Sequence, residues 1–217
     1  MNELTGSIRI GMAVAVFGLA AQSAQAQRLS GEDLISALQD GGYVLVMRHG
    51  PSSLEAARGG RGGGGGFGFG GGGRGRGGGA PAPEPTEEAL EPESVQMLTG
   101  MRHAIWVFDI PIGAIYTSPA RRTVQHADEL PFADIMVVDE LDLESAGSSW
   151  LADKLTEATM AGTNTLIVTH STNIQNDLGL REVSEGETLI VRPGNDPTVV
   201  GRLGLREWSE LAVEFGD

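Results

Sequence analysis

The sequence predicts an α/β fold: a three-layer sandwich in which a mostly parallel central sheet carries helices on both faces. Two apolar runs, 43–47 and 166–168, are continuous rather than alternating, which is typical of strands buried on both faces. Segments with helical apolar spacing alternate with these strand-like runs along the chain. A length of 217 residues with 40% apolar content suits one domain with its own core.

The first 26 residues have the layout of a secretory signal peptide. Arg9 precedes an apolar run at 10–21, and Ala24-Gln25-Ala26 has the small-x-small pattern of a cleavage site. The run is shorter than the ~20 residues that a membrane-spanning helix needs. We therefore expect a periplasmic or secreted mature domain, 27–217, without stable membrane insertion. An uncleaved N-terminal anchor is the alternative.

The mature chain begins with a predicted helix. Ser30 can cap it, and it ends near Gly41-Gly42. One apolar stripe on this helix faces the core: Leu34, Ile35 and Leu38. The later predicted elements are a strand at 43–48, a helix at 92–108, a strand at 112–116, a helix from Pro119, a strand at 135–138, a loop at 141–147, a helix at 151–160, a strand at 165–169, a short helix at 173–178, and a hairpin of strands at 188–191 and 199–205.

Residues 51–90 interrupt this pattern. The segment 59–79 has 16 Gly among 21 residues, and Pro81, Pro83 and Pro85 follow it. Such a composition buries too little apolar surface to offset its ordering entropy, so we expect a disordered or mobile insertion. Arg and Phe among glycines can also bind nucleic acid. We favour a low-complexity loop, because the predicted export removes the chain from nucleic acid.

Three predicted strand ends carry cationic or imidazole groups. The first strand ends in Arg48-His49-Gly50, the second is followed by Ser118-Pro119-Ala120-Arg121-Arg122, and the fourth ends at His170. In open α/β sheets, ligands bind at the carboxyl ends of the strands. We therefore expect these groups to converge on one site. For a single Arg-His pair, the simpler interpretation is a salt bridge at a strand end.

At these residues the sequence resembles the histidine phosphatase superfamily, which includes the phosphoglycerate mutases. Arg48-His49-Gly50 matches the family's Arg-His-Gly, and Ser118-Pro119 with Arg122 matches its Ser-Pro-x-x-Arg. His170 matches the His that ends a later apolar strand. The resemblance runs from about residue 41 to 208, apart from the insertion. It implies a phosphoglycerate mutase-like fold.

The resemblance implies a phosphomonoester hydrolase, a histidine-type phosphatase that acts through a phosphohistidine intermediate. It implies that His49 is the nucleophile, that His170 donates to a phosphoryl oxygen, and that Arg48 and Arg122 bind phosphate. These residue types suit the reaction, because a neutral imidazole is nucleophilic and a guanidinium presents a fixed fork of donors. No cofactor is implied. Four His and no Cys show no metal-ligand spacing.

The phosphate loop and the general acid depart from the family pattern. Ser52 fits the hydroxyl position that contacts phosphate, whereas Glu55 stands where Asn is usual. Ser171 stands where one branch of the family has an acidic residue. Glu144, in the loop after the third strand, is therefore the predicted general acid, as in another branch. The alternative function is a catalytically weak or inactive phospho-ligand binding module of the same fold.

Charge and the remaining histidines complete the prediction. A net charge of −14 repels polyanions, so we expect a small phosphorylated substrate and no nucleic acid. His103 is interpreted as a surface or structural residue. His126 shares a helix face with Arg122 and stands where relatives usually have Thr. It could line the site, but we interpret it as a solvated helix residue.

Overall fold

The computed structural model of the chain describes residues 28–52, 89–145 and 147–216. The predicted signal peptide and most of the predicted insertion lie outside the described residues. None of the described helices is both long and apolar enough to cross a membrane.

The described residues form six strands and six α-helices. The strands are β1 (Val44–Arg48), β2 (Ile112–Thr117), β3 (Ile135–Val137), β4 (Asn164–Thr169), β5 (Thr188–Arg192) and β6 (Thr198–Leu203). The helices are α1 (Gly31–Asp40), α2 (Pro92–Val107), α3 (Arg121–Asp128), α4 (Trp150–Thr156), α5 (Ser171–Leu178) and α6 (Leu205–Phe215). Two short 3-10 turns, Asp139–Leu141 and Leu143–Ser145, lie between β3 and α4.

The six strands form one sheet in the order β3-β2-β4-β1-β5-β6. β1 pairs in parallel with β4, β4 with β2, and β2 with β3. β5 is antiparallel to both of its neighbours, β1 and β6, so it alone runs against the other strands of this sheet. The predicted mostly parallel sheet and the terminal hairpin are confirmed. The carboxyl ends of the adjacent strands β1, β4 and β2 therefore meet at one edge.

β1 is buried on both faces and separates two apolar cores. Leu45 and Met47 pack into one core with residues of α1, α2 and α6. Val44 and Val46 pack into the other with residues of α4 and α5. All four side chains are at most 2% exposed. Because helices cover both faces of the sheet, the predicted three-layer architecture is confirmed, and its apolar burial supplies the main stabilising term.

The junction between α1 and β1 depends on close backbone contacts. Gly41 has a φ of 75°, and a Cβ there would lie 2.6 Å from backbone atoms of Gly162 and Thr163, so only glycine fits. The buried Asn164 accepts a hydrogen bond from the Tyr43 N–H (3.1 Å) and donates to the Leu38 carbonyl (2.7 Å). The start of β4 thus fixes the start of β1.

The C-terminal helix α6 was not predicted, and the prediction placed Leu205 at the end of a strand. Instead, Leu205 begins the helix, and the Glu207 carboxylate caps it by accepting the Gly204 N–H (2.5 Å). Trp208 is buried in the first core and holds the helix against the body. Apolar residues do recur at helical spacing in this segment: Leu205, Trp208, Leu211 and Phe215.

Helix α4 is shorter than predicted. It ends at Thr156, whereas the prediction extended it to Met160. Met160 is 60% exposed, so no apolar burial extends the helix that far.

The two ends of the predicted insertion lie side by side. Ser52 and Leu90 form an isolated antiparallel bridge, and the Glu91 N–H donates to the Pro51 carbonyl (3.0 Å). Ser52 and Leu90 are both buried. Both ends of the predicted insertion are therefore held at one place, next to the carboxyl end of β1.

Candidate active site

His49 lies at the carboxyl end of β1 and is 3% exposed. Its Nδ1 is 2.8 Å from the Gly50 carbonyl oxygen, which can only accept, so Nδ1 carries the hydrogen. Arg122 Nε donates to His49 Nε2 at 3.1 Å, so Nε2 carries the lone pair. The imidazole is therefore neutral, and its nucleophilic nitrogen faces a guanidinium.

His170 lies at the carboxyl end of β4 and is 1% exposed. Its Nδ1 is 3.4 Å from Arg122 Nη2, and a guanidinium can only donate, so Nδ1 is the acceptor. Its Nε2 is 2.9 Å from Ser118 Oγ and therefore donates to it. In this tautomer His170 cannot take a proton from Ser118. The pair is thus not arranged as a serine nucleophile with its base.

Arg122 connects the two imidazoles. Its side chain is 5% exposed and bonds to both rings, whose centroids are 5.3 Å apart. Arg121, one position earlier, lies about 100° away around the helix and is exposed. The structure therefore brings together three of the predicted site residues: His49, Arg122 and His170.

Two helix N-termini add positive partial charge at the same edge. α3 follows β2, and α5 begins directly after His170. Neither N-cap residue, Ala120 or His170, makes a side-chain capping hydrogen bond. The first N–H groups of a helix and its dipole favour anions. With the Arg122 guanidinium, they form an environment suited to a small anion.

Arg48 holds the loop before β5 against the end of β1. Its Nη1 donates to the Val183 carbonyl (2.8 Å), and its Nη2 pairs with Glu185 Oε1 (3.4 Å). The Gly186 N–H is shared between the carbonyls of Arg48 and His49, at 3.1 and 3.0 Å. Part of the donor capacity of Arg48 thus holds the loop that contacts the backbone of His49.

Ser52 and Glu144 complete the predicted site. Ser52 Oγ is buried and has no hydrogen-bond partner among the described residues. Glu144 belongs to the turn Leu143–Ser145, and its side chain lies outside the described part of the structure. The turn before it is held near β4, because Asn173 Nδ2 donates to the Leu141 carbonyl (2.7 Å).

His126 is a site neighbour whose interpretation from sequence was wrong. It is fully buried rather than solvated, and its Nδ1 accepts the Gly50 N–H at 3.1 Å. The spacing of four residues from Arg122 was the available signal, since both side chains share one face of α3. His103 is exposed and stacks on Trp106, in agreement with its interpretation as a surface residue.

Burial is the main cause that lowers the pKa of His126, to about 3, and the electrostatic influence of nearby His49 acts in the same direction. His126 is therefore neutral at the pH of most compartments. No group of three or more His, Asp or Glu side chains able to hold a metal ion occurs among the described residues.

No family model and no curated protein matches this sequence. SixA from Agrobacterium tumefaciens is similar in structure, with 14% identity over 75% of this chain and 97% of that one, at a TM-score of 0.48. A complex of the protein histidine phosphatase SixA with tungstate has 14% identity over 76% of this chain and 97% of that one, with a TM-score of 0.47. The phosphoserine phosphatase of Entamoeba histolytica has 12% identity over 74% of this chain and 95% of that one, with a TM-score of 0.46. These likenesses are weak, and the chemistry of the site follows from its own side chains.

The buried neutral His126 should make folding stability sensitive to acid. The unfolded histidine has a pKa of ~6.5, so between pH 6.5 and about 3 the unfolded chain binds the extra proton. This contribution to stability is complete above pH 6.5 and declines by up to about 1.4 kcal/mol per pH unit as the pH falls. Urea unfolding between pH 7 and 5 should show that the free energy of unfolding falls more steeply with decreasing pH in the parent than in His126→Asn.

The matched control is His103→Asn, which removes an exposed histidine. Its free energy of unfolding should depend on pH as that of the parent does. Equal slopes for the parent and His126→Asn would show that His126 is not held neutral by the fold.

Proposed function

We propose that this protein is a phosphomonoester hydrolase of the histidine phosphatase type, exported from the cytoplasm by residues 1–26. One observation carries the proposal: His49 is neutral, its Nδ1 hydrogen is held by a carbonyl, and its Nε2 lone pair faces Arg122. The Arg-His-Gly and Ser-Pro-x-x-Arg motifs support it, because they place these groups at the carboxyl ends of β1 and β2, on either side of β4.

In the first step, His49 Nε2 attacks the phosphorus atom, and the bond from phosphorus to the leaving oxygen breaks. The Arg122 guanidinium turns from Nε2 to the phosphoryl oxygens, which frees the lone pair and stabilises their charge. The Gly50 carbonyl accepts the Nδ1 hydrogen and stabilises the positive charge that develops on the ring. Glu144 gives its proton to the leaving oxygen.

In the second step, water attacks the phosphohistidine. The bond from phosphorus to Nε2 breaks, the Glu144 carboxylate takes a proton from the water, and inorganic phosphate departs. For His170 to donate to a phosphoryl oxygen, its Nδ1 must gain a proton. A bound phosphate dianion favours that protonation. The ring would then keep its Nε2 hydrogen bond to Ser118 while it contacts phosphate.

Ser52 and Arg48 are proposed to complete phosphate binding. Ser52 Oγ has no hydrogen-bond partner among the described residues, so its hydroxyl can serve a phosphate oxygen. Arg48 lies directly before the nucleophile and contributes positive charge. The acidic body, with a net charge of −14, favours a small monoester over a polyanion, since only the local cations attract phosphate.

The second candidate function is a phospho-ligand binding module of the same fold. The presence of Ser171 directly after His170 favours it, because this position holds the acid in one branch of the family that the sequence resembles. Such a module would keep the Arg122 site and bind phosphate. It would lack protonation of the leaving group.

Inorganic phosphate binding tests the anion site shared by both candidates. Arg122→Ala should weaken phosphate binding by roughly 10- to 100-fold, since hydrogen bonds to a charged group contribute about 1.5–3 kcal/mol. Arg121→Ala is the matched control and should bind phosphate as the parent does, because this neighbour is exposed. Calorimetric titration measures the phosphate affinity of both variants. A larger loss of affinity in Arg121→Ala than in Arg122→Ala would show that phosphate does not bind at Arg122.

Trapping of a phosphoenzyme tests the hydrolase. Rapid quenching after addition of a labelled aryl phosphate should leave alkali-stable, acid-labile label on the parent, as a phosphoimidazole requires. His49→Ala should carry none, whereas His103→Ala should carry as much as the parent. Equal labelling of His49→Ala and the parent would remove His49 from the nucleophilic role.

Glu144 separates the enzyme from the binding module. Glu144→Gln should slow hydrolysis of alkyl phosphates by roughly 10²- to 10⁴-fold, because their leaving groups need a proton. Transfer of the phosphoryl group from aryl phosphates to His49 should change little, since phenolate leaves without help. The ratio of kcat/KM values for the two substrate classes is the measurement, because kcat/KM reports the first step and not the later hydrolysis of the phosphohistidine. A uniform effect on both classes would show that Glu144 is not the acid.

A further inference from the structure

His126 is held close to the nucleophile by one backbone group. Its Nδ1 accepts the Gly50 N–H at 3.1 Å, and a backbone N–H can only donate. Nδ1 therefore carries the lone pair and Nε2 the hydrogen. The side chain is fully buried and lies on α3, the same helix that presents Arg122 to His49.

Both backbone polar groups of Gly50, its N–H and its carbonyl, form a hydrogen bond with a histidine side chain. Its N–H donates to His126, and its carbonyl accepts the Nδ1 hydrogen of His49 at 2.8 Å. The following carbonyl, of Pro51, accepts from Ser94 Oγ (2.8 Å). The orientation of the Gly50 carbonyl therefore depends on how its two flanking peptide groups are held.

Glycine at position 50 creates a need for that restraint. A Cβ there would lie 3.1 Å from the Cβ of Ser94, so a side chain would crowd α2. Glycine is also the residue whose backbone is least restricted. Glycine fits the space at position 50, but its flexible backbone does little to fix the direction of the Gly50 carbonyl.

We propose that His126 is a positioning residue: by accepting the Gly50 N–H, it keeps the Gly50 carbonyl on His49 Nδ1 and so holds the nucleophile in its reactive tautomer. The inference deepens the proposed function and rests on the role of His49 in it.

The alternative tautomer of His49 would be unreactive. With the hydrogen on Nε2, that atom has no lone pair for phosphorus, and its N–H would face the N–H of Arg122. Loss of the Gly50 carbonyl as an acceptor would make this tautomer more accessible. Arg122 and His126 lie one turn apart on α3. Both therefore favour the tautomer of His49 that has its hydrogen on Nδ1.

A neutral His126 is needed for this function, because an imidazolium has no lone pair to accept the Gly50 N–H. Burial supplies that state, since the pKa is lowered to about 3. A threonine at this position, as relatives usually have, would offer a shorter acceptor.

Two substitutions separate positioning from packing. His126→Asn keeps an acceptor, because its Oδ1 corresponds to Nδ1 of histidine. His126→Leu fills similar space without an acceptor. His103→Leu is the matched control at an exposed histidine. The readouts are the ¹⁵N shifts of the His49 ring in the ligand-free protein, and kcat and KM for an aryl phosphate.

We expect the parent, His126→Asn and His103→Leu to show hydrogen on Nδ1 of His49, with kcat values within about threefold of one another. His126→Leu should show a mixture of tautomers and a kcat reduced about tenfold or more, with KM changed little, because the nucleophile is misplaced rather than the phosphate site. An unchanged His49 tautomer in folded His126→Leu overturns the proposal, whether or not stability falls.

A measurement on the parent decides the case if His126→Leu does not fold. The Gly50 amide nitrogen should show a scalar coupling to His126 Nδ1 across the hydrogen bond, and its absence overturns the proposal. Both NMR readouts use the resting protein. Failure of the proposed function, seen as no phosphoenzyme and no hydrolysis, is therefore distinguishable from failure of the positioning role.

Discussion

The site depends on one buried charge, the guanidinium of Arg122. Removal of a cation from water is costly unless partners replace the solvent, and such partners are usually carboxylates. Among the described residues, the acceptors of Arg122 are instead two neutral imidazole nitrogens, on His49 and His170. Its positive charge is thus held in place without being neutralised by these partners. This arrangement leaves electrostatic attraction for a bound anion, and it ties the tautomers of both histidines to the helix that carries the arginine.

The sheet makes that contact possible. β1 and β4 are parallel neighbours, so His49 and His170 follow them at one edge, while β2 delivers α3 beside them. A slip of one residue in β1 would exchange its two buried faces and redirect His49, which would break both cores together. Asn164 opposes such a slip at the opposite end of the ladder, because it bonds to Tyr43 and Leu38. The packing that stabilises the fold therefore also sets the distances in the site.

Features with a simple periodicity could be predicted from the sequence. Continuous apolar runs identified the central strands, and the strand-end motifs identified three residues that meet: His49, Arg122 and His170. α6 was missed because a short apolar stripe after a strand becomes a helix only through the burial of Trp208. His126 was misread because periodicity shows which face a polar residue shares, but not what that face meets. The partners of Arg48 at Val183 and Glu185 arise from a loop without a pattern.

The bridge between Ser52 and Leu90 closes a narrow neck in the backbone, and Ser52 lies three residues after His49. Because the neck is held by the body, the length of the chain between its two sides need not disturb the register of the sheet. This position is therefore suited to the insertion or attachment of another group. A fluorescent reporter inserted between Ser52 and Leu90 would lie close in sequence to His49 without crossing either core, and its emission could follow occupancy of the site. The same geometry would allow immobilisation on a surface with the site at a known orientation.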